Sequence, residues 1–173
     1  MARRLILFRH AKSAWDEAGL EDFDRGLAAR GIEAAPRMAE WIAATGYIPD
    51  LVLCSSAQRT RATFDLARRP LGLGSEHVCY LDELYHATPA TLLATVRAAS
   101  DPVSTLMIIG HNPGLQDFAI MMIGSGDAEL IRALSIKLPT AAVVVLTFDG
   151  GWDGLAPRSC ALEAYMTPRT LRA

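Results

Sequence analysis

The sequence predicts an α/β protein, a three-layer α/β/α sandwich built around a mostly parallel central sheet. Short apolar, β-branched runs alternate with longer segments whose apolar residues follow helical spacing, which is typical of such sheets. The first run, LILF at residues 5–8, is apolar without alternation, as expected for a strand buried on both faces. No repeat or Pro/Gly/Ser-rich linker divides the 173 residues, so we expect one domain over residues 1–173.

Six segments carry a strand pattern. The last of them contains Glu163, and we expect it to lie at an edge of the sheet because a charged side chain enters it. The six segments are residues 5–8, 50–54, 78–81, 105–109, 142–148 and 160–165.

Helical patterns fill the intervals between these strands. Apolar residues over 35–42 follow i, i+3, i+4, i+7 spacing, with Gly46 as the expected stop and Pro36 near the first turn or at a kink. A second helix is expected to reach about residue 67, N-capped by Ser55 or Ser56. A third opens at Thr88-Pro89, and an apolar, buried fourth covers residues 114–123.

Composition and charge narrow the class of protein. Hydrophobic residues make up 51% and charged residues 21% of the chain, which is ordinary globular usage. The net charge of −2 argues against a general nucleic-acid or anionic-membrane binder, since contacts to phosphates need a basic surplus. The three cysteines form no CxxC pair and no apolar run is long enough to span a membrane, so we expect a cytoplasmic protein.

Arginine or histidine residues follow three of the predicted strands. Arg9 and His10 follow the first, Arg59 comes five residues after the second, and His111 follows the fourth. The carboxyl ends of parallel strands meet at one edge of a sheet, so these four side chains are expected to converge. Two guanidinium groups and two imidazoles beside a helix N-terminus form a site suited to a dianionic phosphoryl group.

These segments resemble a known family. Leu-Phe-Arg-His-Ala-Lys-Ser at residues 7–13, Ser-Ala-Gln-Arg at 56–59 and Gly-His-Asn-Pro at 110–113 resemble the histidine phosphatase (phosphoglycerate mutase-like) superfamily. Arg-His-Ala-Lys instead of Arg-His-Gly-Glu, Asp-Arg at 24–25 and Leu-Tyr-His-Ala at 84–87 resemble its SixA-type branch. The likeness runs from residue 5 to about residue 171.

The resemblance implies a phosphoglycerate mutase-like fold and a set of residue roles. His10 would be the nucleophile that takes the phosphoryl group and yields it to water. Arg9, Arg59 and His111 would bind the phosphate oxygens, and Glu83 would be the acid that protonates the leaving group. The implied activity is that of a phosphatase with no metal and no other cofactor. Its substrate would be protein phosphohistidine or a small phosphorylated compound.

Other functions remain open at the level of sequence. Lys12 replaces the acidic residue of Arg-His-Gly-Glu members, which leaves room for a non-catalytic, phosphate-binding regulatory module. A phosphoglycerate mutase-type phosphotransferase is a further alternative, although the short chain offers little material for a closed pocket. A cysteine-based tyrosine phosphatase is excluded, because only four residues separate Cys54 from Arg59 and that loop needs five.

Overall fold

A seven-stranded sheet forms the centre of the molecule. The computed structural model describes residues 2–172. Along the sheet the strand order is β3-β2-β4-β1-β6-β7-β5. The strands are β1 (Ala2–Arg9), β2 (Leu51–Ser55), β3 (Val78–Leu81), β4 (Thr105–Gly110), β5 (Ile123–Gly126), β6 (Val143–Asp149) and β7 (Cys160–Met166).

The direction of the strands decides which loops share an edge. Strands β3, β2, β4 and β1 are parallel to their neighbours, and β5 is parallel to β7. Strand β6 is antiparallel to both β1 and β7. The prediction of a mostly parallel sheet is confirmed, with β6 as the exception. Because β6 reverses direction and β7 reverses it again, β7 ends at the same edge of the sheet as β1.

Helices cover both faces of this sheet. One face packs against α1 and α2, and the other packs against α3, α4 and α5. None of these helices, within the described part of the chain, is long and apolar enough to cross a membrane. The helices are α1 (Ala29–Ala44), α2 (Gln58–Leu71), α3 (Pro89–Arg97), α4 (Gly114–Met122), α5 (Ala128–Ile136) and α6 (Pro168–Arg172).

The continuous apolar run of β1 serves two separate cores. Leu5 and Leu7 point into the core beneath α3, α4 and α5, whereas Ile6 and Phe8 point into the core beneath α1 and α2. All four side chains are fully buried. Successive strand residues face opposite sides, so a strand sandwiched between two helical layers needs apolar residues at every position. The predicted three-layer architecture is therefore confirmed.

Several predicted helix boundaries are confirmed and one is wrong. The Thr88 side chain accepts a hydrogen bond from the Thr91 amide and caps α3. Gly46 follows α1 with φ of +80°, a conformation that favours glycine. The predicted serine cap of α2 is wrong, because Ala57 occupies that position without a side-chain cap.

Two elements beyond Met122 differ from the predicted pattern. Strand β5 takes the residues at which the fourth helix was expected to end, and it pairs outside β7, so β7 is not an edge strand. Helix α5 was not predicted at all. The sequence does contain a helix N-cap residue here, because Asp127 accepts hydrogen bonds from the Glu129 and Leu130 amides.

Candidate active site

The four predicted residues Arg9, His10, Arg59 and His111 meet at the carboxyl edge of the sheet. Arg9 ends β1 and His10 follows it, Arg59 is the second residue of α2, and His111 directly follows β4. The His10 and His111 ring centroids lie 5.3 Å apart. The exposed fraction of His10, Arg59 and His111 is only 6%, 3% and 5%. Adjacent parallel strands β2, β4 and β1 thus deliver the four side chains to one buried place.

Three of these residues carry a buried polar atom that has no hydrogen-bond partner. They are Arg9 Nε, Arg59 Nε and His111 Nδ1, and they are the only such side-chain atoms within residues 2–172. Buried polar groups in folded proteins are nearly always paired, so an unpaired group needs an explanation. Three unpaired groups on one cluster of cationic or imidazole side chains indicate a binding site for a hydrogen-bond acceptor.

The Ser55 hydroxyl contacts one of the two ring nitrogens of His111 and leaves the other without a partner. His111 Nε2 lies 2.8 Å from the Ser55 hydroxyl, and that hydroxyl oxygen also accepts a bond from the Ala57 amide. A hydroxyl oxygen can donate one bond and accept two, so this contact is compatible with the ring proton on either nitrogen of His111. Nε of Arg9 and of Arg59 always donates, and His111 Nδ1 is a third donor towards an anion when it carries the ring proton.

His10 is held as a neutral imidazole with a defined orientation. Its Nδ1 lies 2.8 Å from the Ala11 carbonyl oxygen, which only accepts, so Nδ1 donates the proton and Nε2 keeps its lone pair. Burial above all, together with the positive charges of Arg59 and Arg9, lowers the pKa of His10 to about 3. At neutral pH, His10 therefore presents an unprotonated, nucleophilic Nε2.

Asp22 holds the Arg59 guanidinium in place. Arg59 Nη1 donates to the Asp22 backbone carbonyl at 2.7 Å, and Nη2 donates to the Asp22 carboxylate at 3.0 Å. Arg25 and the Tyr85 hydroxyl donate to the same carboxylate. These bonds, the one from Tyr85 above all, hold the pKa of Asp22 well below its usual range. The backbone carbonyl and the carboxylate of Asp22 together hold both terminal nitrogens of Arg59 and leave only Nε unpaired.

Tyr85 and His86 form the rim of the site. The Tyr85 ring stands edge-on to the His111 ring, with centroids 5.4 Å apart. The exposed His86 has its ring centroid 5.9 Å from that of His111 and its Nε2 3.5 Å from the Asp22 carboxylate. These two side chains come from the loop between β3 and α3, so this loop borders the site on the Arg59 side.

Glu83, the predicted leaving-group acid, occupies a different environment. It lies exposed in a single 3₁₀ turn after β3. With Leu81, Ala98 and Ser100, it lines a groove that none of the four converging residues lines. The carboxylate that the structure brings into contact with Arg59 is that of Asp22 instead.

Sequence reasoning missed the contacts of Asp22, Ser55 and Tyr85. The sequence did draw attention to two of the segments involved, because Asp-Arg at 24–25 and Leu-Tyr-His-Ala at 84–87 resemble the SixA-type branch. Neither segment is a strand end, so sheet topology gave no reason to place them at the site. Ser55 was interpreted as a helix cap, but its hydroxyl bonds to His111.

The positive charge that an anion needs at this site is supplied by side chains of the cluster. Within residues 2–172, no group of three or more His, Cys, Asp or Glu side chains is placed to hold a metal ion. The guanidinium of Arg9 remains as a full cation beside the site, with its Nη1 donating to the Leu138 carbonyl at 2.9 Å. Two fixed guanidinium groups and two imidazoles can bind a dianionic phosphoryl group and offer it a nucleophile.

The fold and the site define a class of phosphoryl-transfer proteins, in which a histidine and two arginines lie at the carboxyl edge of an α/β sheet. The family model that matches residues 5–88 is that of the histidine phosphatase superfamily, branch 1. The chain belongs to this superfamily and to its SixA-type group. It is a phosphatase of this superfamily.

Three relatives illustrate this membership. The uncharacterized protein Rv1276c of Mycobacterium tuberculosis is 37% identical over 163 residues, covering 93% of this chain and 99% of the relative. A structure from Agrobacterium tumefaciens, assigned as phosphohistidine phosphatase SixA, is 34% identical with a TM-score of 0.81, covering 96% and 98% of the two chains. A protein histidine phosphatase SixA complexed with tungstate shares the fold, with 22% identity, a TM-score of 0.79 and coverage of 97% and 99%.

Proposed function

We propose that this protein is a metal-independent phosphohistidine phosphatase, with His10 as its nucleophile and phosphorylated proteins as its substrates. The observation that carries the proposal is the set of three buried side-chain nitrogens without a partner, Arg9 Nε, Arg59 Nε and His111 Nδ1. A phosphoryl group has three oxygens that can accept bonds from the two guanidinium groups and from His111 with its proton on Nδ1, and the neutral imidazole of His10 lies beside them. Phosphoryl transfer needs mainly positioning and charge stabilisation, which these groups supply without a metal.

The proposed reaction has two steps. In the first step, His10 Nε2 attacks the phosphorus atom of a phosphohistidine whose other ring nitrogen already carries a proton. The bond from phosphorus to the substrate nitrogen breaks, the departing imidazole keeps that electron pair, and it leaves as a neutral ring. In the second step, water attacks the phosphorus of the phosphorylated His10, the new P–N bond breaks, and inorganic phosphate leaves. The Ala11 carbonyl keeps the His10 ring oriented in both steps by accepting from Nδ1.

The carboxylates of the site favour a substrate that carries its own good leaving group. Asp22, the carboxylate in contact with Arg59, has a pKa well below its usual range and is ionised at neutral pH. An ionised carboxylate cannot donate a proton to a departing alkoxide. The imidazole of a phosphohistidine leaves easily once its nitrogen is protonated, so it needs less help than an alcohol. Glu83 as the acid stays a prediction, and its side chain lines a separate groove.

The first experiment is turnover of p-nitrophenyl phosphate in the presence of a metal chelator, with the wild type beside His10→Ala. We expect turnover that resists the chelator and is lost in the variant, because no neighbouring group can replace the nucleophile. Turnover that survives in His10→Ala would show that another residue is the nucleophile. Loss of wild-type turnover on chelation would refute the metal-independent mechanism.

The substrate class is tested separately. The kcat/KM for a phosphohistidine-bearing protein is compared with values for a panel of sugar phosphates and other phosphate esters. The proposal predicts that the phosphohistidine protein is preferred. A preference for one ester would keep the phosphatase assignment and refute the protein substrate.

A further inference from the structure

A cavity with basic side chains in its lining lies at the same edge of the sheet as the phosphoryl site. Its volume is about 520 Å³. Its charged lining consists of Lys12, Arg30, Arg169 and Arg172, with no aspartate or glutamate among the lining residues. None of the four forms an ion pair with a carboxylate within residues 2–172. We call this cavity the basic groove. The phosphoryl chemistry described above uses none of these four side chains.

Sheet topology places the basic groove at the same edge as His10. Lys12 comes two residues after His10, Thr140 precedes β6, and Arg169 follows β7. Because β6 is antiparallel to β1 and to β7, the start of β6 and the end of β7 lie at the carboxyl edge of β1. Neighbouring strands are about 4.8 Å apart, so the β7 end of the groove is about 10 Å along the sheet from His10.

Backbone contacts tie the groove to the nucleophile loop. The Lys12 carbonyl accepts from the Ala28 amide at 2.9 Å, which fixes the chain after His10 against the start of α1. The Ala141 amide, next to the groove residue Thr140, donates to the Arg9 and His10 carbonyls. The backbone segments that carry the groove and the phosphoryl site are therefore hydrogen-bonded to each other or to a common neighbour.

The side chains of the groove fit a protein partner better than a small ligand. All four cations are exposed, and none of them donates a side-chain hydrogen bond to another described residue that would fix its position. A tight small-molecule site holds its polar groups in fixed positions. Solvated, flexible cations instead attract and orient an oppositely charged macromolecular surface.

We propose that the basic groove binds an acidic segment of the protein substrate, located three to four residues from the phosphohistidine in an extended chain. This inference rests on the proposed protein substrate and adds to it the charge of the sequence around the phosphohistidine. An extended chain advances about 3.3 Å per residue, so a carboxylate at that separation reaches the groove when the phosphoryl group is at His10.

The test uses two matched peptides, each with one phosphohistidine formed by chemical phosphorylation with phosphoramidate. One peptide has glutamates on both flanks, and the other has glutamines at the same positions. We expect the wild type to hydrolyse the glutamate peptide with a kcat/KM about five times higher at low salt, mostly through KM, since exposed ion pairs are individually weak. The preference should fall as salt is added.

Charge reversal locates the source of that preference. Arg30→Glu/Arg169→Glu should abolish or invert the preference while turnover of p-nitrophenyl phosphate is retained. Arg68→Glu/Arg69→Glu is the matched control, because it changes the charge equally at the exposed C-terminal end of α2, at the opposite edge of the sheet. The control should keep the preference for the glutamate peptide. The readout is a ratio between two peptides, so it does not depend on how much variant protein is folded.

The outcomes that overturn the groove inference alone differ from the outcome that refutes the proposed function. A wild type that hydrolyses both peptides equally well has no acidic-segment site. A preference that persists in Arg30→Glu/Arg169→Glu, or that disappears equally in the control, places its origin outside the groove. If the wild type turns over p-nitrophenyl phosphate but neither peptide, the phosphohistidine substrate itself is refuted, and the groove inference falls with it.

Discussion

At the scale of single residues, the unpaired nitrogens of Arg9, Arg59 and His111 destabilise the folded chain. A buried polar group without a partner costs about 1–3 kcal/mol. An anion that accepts hydrogen bonds from this cluster would offset that cost. Arg9, Arg59 and His111 were predictable because each lies at or shortly after the carboxyl end of a strand. Asp22 and Tyr85 were not predictable, because the paths of their loops depend on tertiary contacts.

Removing one donor should slow the chemistry sharply. Arg59→Ala deletes the Nε donor and the cation that stabilises developing charge, so kcat should fall about 10²–10³-fold with p-nitrophenyl phosphate. Arg68→Ala, an exposed position on the same helix, is the control and should retain wild-type kcat. An Arg59→Ala enzyme with nearly normal kcat would remove Arg59 from the phosphate site.

At the scale of elements, the start of α1 supports the nucleophile loop. A Cβ atom at Gly31, in the first turn of α1, would overlap the Lys12 carbonyl oxygen, so only glycine allows this approach. The Lys12 carbonyl is one residue beyond the carbonyl that orients the His10 ring. Hydrophobic periodicity predicted that a helix exists here, but it could not show which backbone the helix would touch.

Gly31→Ala should therefore destabilise the protein and reduce its activity together. The added methyl group must displace the Lys12 backbone, and overpacking of this kind costs about 1–3 kcal/mol. Gly26→Ala is the control, since a Cβ atom there meets nothing within 4 Å and the residue precedes the same helix. Denaturant unfolding and p-nitrophenyl phosphate turnover measure both effects. Equal behaviour of the two variants would contradict the close approach.

At the scale of the whole molecule, two buried neutral histidines link folding to pH. Burial lowers the pKa of His10 and of His111 to about 3, whereas an unfolded histidine titrates at 6.5. Between pH 6.5 and pH 3, these two histidines are protonated in the unfolded chain and neutral in the folded chain. The free energy of unfolding therefore falls as the pH falls from 6.5 towards 3. Asp22, whose pKa is lowered, adds a loss only below its ordinary value of 3.8.

The expected loss of stability between pH 6.5 and pH 5 is about 2 kcal/mol for each of the two histidines. Urea unfolding at several pH values measures it. His10→Ala should show a shallower dependence of the unfolding free energy on pH, because one of the two groups is gone. A dependence as steep as that of the wild type would mean that His10 is not buried in its neutral form.

The sequence by itself determined the layers of the fold, most of the sheet and the four residues that converge. These features follow from local periodicity and from the rule that parallel strands end at one edge, so each can be read from short segments. Only the tertiary structure decided that β5 pairs outside β7 and that Asp22 holds Arg59 in place. It also decided that Glu83 lines a different groove, and that four basic residues from different parts of the sequence line one cavity. Those features depend on contacts between segments far apart in the chain, and no local pattern encodes such contacts.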